Sequence, residues 1–87
     1  MATAVIEHRV KCWPKLFDAV ACGDKAFEVR FNDRDYKLGD ILILEKFDPR
    51  TGQYIACEPL RRRITFVLEG WFNGNYPSHV VLSLGPE

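Results

Sequence analysis

The apolar pattern changes period near the start of the chain, and this change constrains the fold more than any other feature. Over residues 4–12 apolar and polar positions alternate, which is typical of a half-buried strand. Helical spacing follows and predicts a helix over residues 14–22, with Pro14 in its first turn and Gly23 just past its end. The apolar face of the strand contains Ile6, His8, Val10 and Cys12. The helical stripe contains Trp13, Leu16, Phe17 and Val20, of which the last three are predicted to pack on the strands.

Strand-like alternation resumes after the helix. Glu28 and Arg30 share one face of this segment, and the opposite, apolar face is predicted to lie in the core. This apolar face contains Phe27, Val29 and Phe31. Residues 41–44 are apolar on both faces, as in a strand covered on both sides, and residues 48–52 (Asp-Pro-Arg-Thr-Gly) predict a hairpin turn before a return strand. Two later strands alternate, one at Ile64, Phe66 and Leu68 and the other at Val80, Leu82 and Leu84.

These segments predict a mainly β (α+β) fold with about six strands and one helix between the first two strands. A small barrel is the simplest arrangement, because a closed sheet has no exposed edges. A chain of 87 residues is long enough for one domain, which is expected to span residues 1–87. One long irregular segment remains, over residues 70–79, and it is rich in aromatic residues.

The balance of charge limits the partners that the chain attracts. Twelve basic residues match twelve acidic ones, so a contact with nucleic acid must come from a local patch, and long nonspecific duplex binding is disfavoured. The three cysteines form no C-x-x-C pair. This pattern favours a reduced, cytoplasmic protein and predicts no disulfide framework, no metal site and no cofactor. No apolar stretch reaches the ~20 residues of a membrane span, so no membrane association is predicted.

The polar group with the clearest chemical potential is Lys25, Glu28 and Arg30, just after the predicted helix. Glu28 and Arg30 lie side by side on one strand face, ~7 Å apart by strand rise. Two cations can hold a phosphate while the carboxylate accepts a proton from a base or sugar. A surface ion pair that contributes little energy explains the same spacing. The spacing alone favours the surface pair.

Three further features each have two interpretations. The run Arg61-Arg62-Arg63 fits a solvated strand end that protects a sheet edge, or a rim that follows phosphates. The first and third arginine of the run face one way and the second the other. The aromatic residues of the long loop, Trp71, Phe72 and Tyr76, can stack on unpaired bases or plug one end of a barrel. His8, on an apolar face, is more typical of a hydrogen-bonded core histidine than of a catalytic base.

One motif resembles a known family. The string Gly23-x-Lys25-x-x-Glu28-x-Arg30 resembles the ASCH signature G-x-K-x-x-E-x-R, and it follows a helix as it does in that family. Other segments agree in order: His8-x-x-Lys11 before the helix, then Asn32-Asp33-Arg34 and Gly39-Asp40-x-Leu42-x-Leu44 after it. The pattern is most similar to a compact subgroup, the domain of unknown function DUF3850, which is common in phages and their bacterial hosts.

The resemblance implies a PUA-like β-barrel with a cleft beside the first helix. The residues implied to bind nucleotide or RNA are Lys11, Lys25, Glu28, Arg30 and Arg34. Relatives in this superfamily bind RNA or modified bases, and some small ASCH proteins hydrolyse acylated cytidines or cut RNA. Those amidohydrolases resemble this chain at Lys25 but carry Thr at the position of Glu28. They also use a later Glu whose surrounding motif is absent here.

Three hypotheses for the function stay open at this point. The first is a module that binds RNA or a nucleotide, which would be its partner. The second is a small hydrolase that acts on an acylated nucleoside or on RNA, with Lys25 and Glu28 as the candidate catalytic residues. The third is a phage-type interaction protein that uses its aromatic loop.

Overall fold

The computed structural model describes residues 4–69 and 78–87. In this part of the chain the elements are β1 (Glu7–Cys12), α1 (Pro14–Ala21), β2 (Phe27–Phe31), β3 (Ile41–Asp48), β4 (Gln53–Tyr54), β5 (Leu60–Glu69) and β6 (His79–Gly85). Six strands and one helix between the first two strands confirm the prediction of a small, mainly β domain. The predicted aromatic loop lies outside the described residues, apart from Ser78 and His79.

All six strands belong to one sheet, in the order β1-β3-β5-β6-β2, with β4 forming a hairpin with β3. β1 runs parallel to β3, and the other pairs are antiparallel. The sheet is not closed, so the prediction of a barrel is wrong in this respect. Side chains take the place of main-chain pairing at the free edge of β1: Arg30 donates to the carbonyl of Lys11 (3.1 Å) and Arg34 donates to the carbonyl of Arg9 (2.6 Å).

The helix α1 is one residue shorter than predicted and ends where Gly23 adopts a positive φ of 89°. Phe17 and Val20 are buried as predicted, but Leu16 is exposed. Trp13 is also exposed, because it caps the helix with extended backbone (φ −63°, ψ 149°) and therefore does not continue the helical stripe. One side of α1 covers the core, while Trp13 and Leu16 remain at the surface beside β2.

The two faces of β2 are the reverse of those predicted. Glu28 is only 3% exposed, whereas Phe27, Val29 and Phe31 are exposed. The register explains the inversion: Glu28 lies opposite Leu82 and Arg30 opposite Val80, and both partners on β6 are fully buried. Directly opposite residues project to the same face of a sheet. Glu28 and Arg30 therefore point to the inner face of the sheet.

The core lies between α1 and the inner face of the sheet. It contains Val10, Cys12, Phe17, Val20, Tyr36, Leu42, Leu44, Ile64, Val80, Leu82 and Leu84. The apolar run over residues 41–44 is buried on both faces, and the hairpin turn at residues 48–52 joins β3 to β4; both predictions are confirmed. The predicted alternation of β5 fails after Ile64, because a register shift between Ile64 and Phe66 turns Phe66 and Leu68 outward. Ile6 precedes β1 and is also exposed.

Candidate functional site

A buried carboxylate between two cations forms the centre of the candidate site. Glu28 Oε1 accepts a hydrogen bond from Lys25 Nζ at 2.5 Å, and Glu28 Oε2 accepts one from Arg30 Nη1 at 3.4 Å. The side chains of all three residues are mostly shielded from solvent. A carboxylate in this setting is stabilised by both charges, and each cation keeps donors for a further partner.

The end of α1 fixes the position of Lys25. Its backbone N–H donates to the carbonyl of Ala19 (3.0 Å), so Lys25 follows directly from the left-handed turn at Gly23. Its ammonium also donates to the carbonyl of Phe27 (2.5 Å) and lies 4.8 Å from the centre of the Phe27 ring. The ammonium is thus held by two acceptors on the strand that carries Glu28.

Arg30 connects the site to the opposite edge of the sheet. Its guanidinium bridges the Glu28 carboxylate and the carbonyl of Lys11 on β1. Tyr36 is buried nearby: burial raises the pKa of its hydroxyl, and the positive charge of Arg30 opposes that shift. A planar guanidinium that contacts a strand edge and a carboxylate still offers further donors, which suits a phosphate or the edge of a base.

A cavity of about 270 Å³ opens between β1, the start of α1 and β2. It is lined by Lys11, Cys12, Trp13, Leu16, Glu28, Val29 and Arg30. Trp13 is 58% exposed at this cavity, which places a large aromatic ring near the cation and the carboxylate. An exposed indole beside a guanidinium can stack on a planar base, while the charged groups contact its polar edge or a phosphate.

Cys12 lines the same cavity but is not a suitable nucleophile. Burial raises the pKa of its thiol to about 11, and the negative charge of Glu28 adds to this shift while Lys25 and Arg30 oppose it. The thiol is therefore protonated at neutral pH, and the thiolate is the reactive form of cysteine. Among the described residues at this cavity, the charged side chains are those of Lys11, Glu28 and Arg30.

The structure brings four of the five predicted binding residues together. Lys11, Glu28 and Arg30 line the cavity, and Lys25 contacts Glu28. The ammonium of Lys11 also lies over the ring of Phe47, at 4.4 Å from its centre. Arg34 is the exception, because it lines a different cavity and binds the edge of β1.

Two residues of the site were not predicted. Trp13 was assigned to the helical stripe, because its spacing fits that stripe, and its exposure depends on the extended cap conformation. Tyr36 lies between a polar turn and β3, where no periodic pattern indicates burial. The following Pro14 is the local signal against including Trp13 in the helical stripe, since a residue before proline avoids helical backbone angles.

His8 has a structural role, as its apolar surroundings predicted. Its Nε2 lies 2.8 Å from Asp40 Oδ2 in a buried pair, and its ring packs against Tyr36. Asp40 also accepts hydrogen bonds from the N–H groups of Ile6 and Lys37. Burial alone would raise the pKa of Asp40, but these hydrogen bonds outweigh it and leave the pKa lowered. The pair joins the start of β1 to the turn before β3.

The three consecutive arginines have three different environments. Their strand, β5, lies between β3 and β6, but its pairing with β6 begins only at Arg63, so Arg61 and Arg62 lie at a strand end. Arg61 forms ion pairs with Glu7 and Glu87, Arg62 is half-buried, and Arg63 is exposed. The predicted alternation of their faces agrees with the register, because Arg62 lies opposite the buried Leu42.

Across residues 4–69 and 78–87, no three His, Cys, Asp or Glu side chains are grouped so that they could hold a metal ion. In the same ranges, no helix has the length and apolar character that crossing a membrane requires.

Comparison with known proteins places the chain in a family. No curated protein matches it significantly. The family profile described as "Domain of unknown function (DUF3850)" matches residues 7–84, which include every strand except the last residue of β6 and also the helix. The match covers the whole candidate site, from Lys11 to Arg30. The chain therefore belongs to the DUF3850 family.

Proposed function

We propose that the protein binds a nucleotide or single-stranded RNA in the cavity between β1, α1 and β2. One observation carries this proposal: the buried Glu28 carboxylate, paired with Lys25 and Arg30, forms the wall of a cavity that also contains the exposed ring of Trp13. Stacking on an aromatic ring contributes about 1–3 kcal/mol per base. The guanidinium supplies donors for a phosphate, and the carboxylate oxygens can accept hydrogen bonds from a base or ribose.

The charge distribution supports a short, unpaired ligand over a long duplex. The whole chain has no net charge, so it does not attract polyanions from a distance. A cavity of about 270 Å³ has room for a base but not for a double helix. Bases of single strands are available for stacking, whereas those of a duplex are not.

We also assign the fold to the ASCH group of the PUA-like superfamily. The support is the motif Gly23-x-Lys25-x-x-Glu28-x-Arg30, which resembles the ASCH signature and here follows a helix between the first two strands. A cytoplasmic location is part of the same proposal, since the cysteines at positions 12, 22 and 57 are free.

Hydrolysis of an acylated nucleoside or of RNA is the second candidate. The close contact between Lys25 and Glu28 favours it, because a carboxylate and an amine at hydrogen-bond distance can exchange a proton. Binding has the stronger support, since both Lys25 and Glu28 are already engaged in contacts with neighbouring groups of the fold.

A binding assay with labelled RNA tests the proposal. The fluorescence anisotropy of a 5′-labelled single-stranded RNA hexamer is titrated with wild type, Trp13→Ala and Arg50→Gln, with mononucleotides as competitors. Trp13→Ala is expected to weaken binding about 5- to 150-fold, which corresponds to the loss of one stacked base. Arg50 is exposed in the hairpin turn and serves as a control that should bind like wild type.

Two outcomes would overturn the proposal. The first is that wild type binds neither RNA nor mononucleotides, and the second is that Trp13→Ala binds as tightly as Arg50→Gln.

A turnover assay tests the second candidate function: the same RNA and N-acetylcytidine are incubated with wild type and with Lys25→Ala. Turnover by wild type that is lost in Lys25→Ala would establish the hydrolase in place of a binding module.

A further inference from the structure

A second cavity, of about 450 Å³, adjoins the candidate site. It is lined by the end of α1, by Lys25, by Arg62 on β5 and by the end of β6. Lys25 lines this second cavity, whereas Glu28 lines the first, and the two side chains are joined by the 2.5 Å hydrogen bond. The Lys25–Glu28 pair therefore lies between the two cavities, with Lys25 lining the second and Glu28 lining the first.

Arg62 is the unusual residue of this second cavity. It projects from the inner face of β5, opposite the fully buried Leu42, and it is half-buried. Its hydrogen bond goes to the adjacent carbonyl of Arg61 (2.9 Å), and within the described part of the chain no carboxylate lies within ion-pair distance of it. A partly buried cation without a counter-charge is unfavourable, and a bound anion would remove that cost.

The other charges around the cavity leave Arg62 available. Glu87 lines the cavity, but its carboxylate accepts two hydrogen bonds from Arg61, both at 2.8 Å. The helix C-terminus nearby carries partial negative charge. Three of its last four carbonyls already accept hydrogen bonds, however, from the N–H groups of Cys22, Gly23 and Lys25.

We infer that Arg62 binds a backbone phosphate of a single strand that also places one of its bases in the first cavity. This inference rests on the proposed function and specifies its ligand: an oligonucleotide, which crosses Lys25 and reaches both cavities, rather than a free nucleoside. The planar fork of a guanidinium matches the geometry of phosphate oxygens. Of the three consecutive arginines, only Arg62 has this role, because Arg61 is held in ion pairs and Arg63 faces away.

The salt dependence of RNA binding tests this inference, with a matched control on the same strand. For single strands, the slope of log K against log salt concentration changes by about 0.7 for each phosphate neutralised. The RNA hexamer is titrated at several salt concentrations with wild type, Arg62→Gln and Arg63→Gln. Arg62→Gln should reduce the magnitude of the slope by about 0.7, and Arg63→Gln should leave the slope unchanged.

A change in the RNA tests the same contact without changing the protein. Each linkage of the hexamer is replaced in turn by an uncharged methylphosphonate. With wild type, one replacement should lower the slope by about 0.7, and with Arg62→Gln that replacement should have no further effect. This measurement gives an answer even if Arg62→Gln does not fold.

The outcomes separate this inference from the proposed function. If wild type binds no RNA, the proposed function fails. If wild type binds RNA and Trp13→Ala weakens binding, but Arg62→Gln and Arg63→Gln show equal slopes, the function stands and the role of Arg62 is refuted. Equal effects of all methylphosphonate positions on wild type would refute it as well.

Discussion

Replacing Glu28 by glutamine tests how much the buried carboxylate stabilises the fold. Glutamine has nearly the same shape but only one oxygen, so it can accept from Lys25 or from Arg30 but not fully from both. Removing one partner of a fully buried ion pair costs about 3–5 kcal/mol. The partners here retain some contact with solvent, since the side chains of Lys25 and Arg30 are 15% and 25% exposed. We therefore expect Glu28→Gln to lower the free energy of unfolding by about 2–3 kcal/mol.

Urea unfolding at neutral pH measures this loss. With a slope of about 1–2 kcal/mol per molar urea for a small domain, the midpoint should fall by about 1–3 M. Asp35→Asn is the matched control, because it makes the same chemical change in the exposed ion pair of Asp35 with Lys37. Asp35 has a φ of 50°, which asparagine tolerates, so the control should keep the wild-type midpoint. Equal midpoints for both variants would refute the view that the carboxylate holds the two cations in place.

Two further predictions concern stability. Because the pKa of Asp40 is lowered in the folded state, the unfolded chain takes up this proton at a higher pH. The stabilisation by the Asp40 carboxylate should be complete above its pKa in the unfolded chain, near 3.9, and should be lost as the pH falls through its pKa in the folded state. In urea unfolding at several pH values, the free energy of unfolding of Asp40→Asn should therefore fall less on acidification than that of wild type. An equal fall in both proteins would contradict this. Leu82→Ala in the core should lower the free energy of unfolding by about 2–5 kcal/mol, whereas Phe66→Ala on the outer face should lower it by about 1 kcal/mol or less. If thermal unfolding showed a comparable loss for Phe66→Ala, the outer face would have to be covered.

The period of the apolar pattern predicted the elements but not which face of β2 lies inside. Alternation shows that Glu28 and Arg30 share a face, and it does not show whether that face is inner or outer. The assignment to the outside assumed that phenylalanine is buried and charge is not, which holds for most strands. Here the charges compensate each other on the inner face, and the aromatic residues of β2 are exposed.

Two other features depend on interactions distant in sequence. The register shift between Ile64 and Phe66 follows from the pairing of β5 with β6, and nothing in the local pattern of β5 indicates it. Closure of the sheet likewise depends on whether the main chains of β1 and β2 form hydrogen bonds with each other, which the local pattern of neither strand indicates. The candidate residues Lys25, Glu28 and Arg30 could be identified because they lie close together in sequence, whereas Tyr36 comes from a separate turn and could not.

The side-chain contact between β1 and β2 affects the width of the first cavity. In a closed barrel, main-chain hydrogen bonds hold neighbouring strands about 4.8 Å apart, and no side chain can alter that spacing. Here the guanidinium of Arg30 spans the two edges, and it ends three to four rotatable bonds from the backbone. The two strand edges are thus bridged at this point by a side chain and not by a main-chain ladder. A different rotamer of Arg30 would change the wall of the cavity without breaking a main-chain hydrogen bond of the sheet.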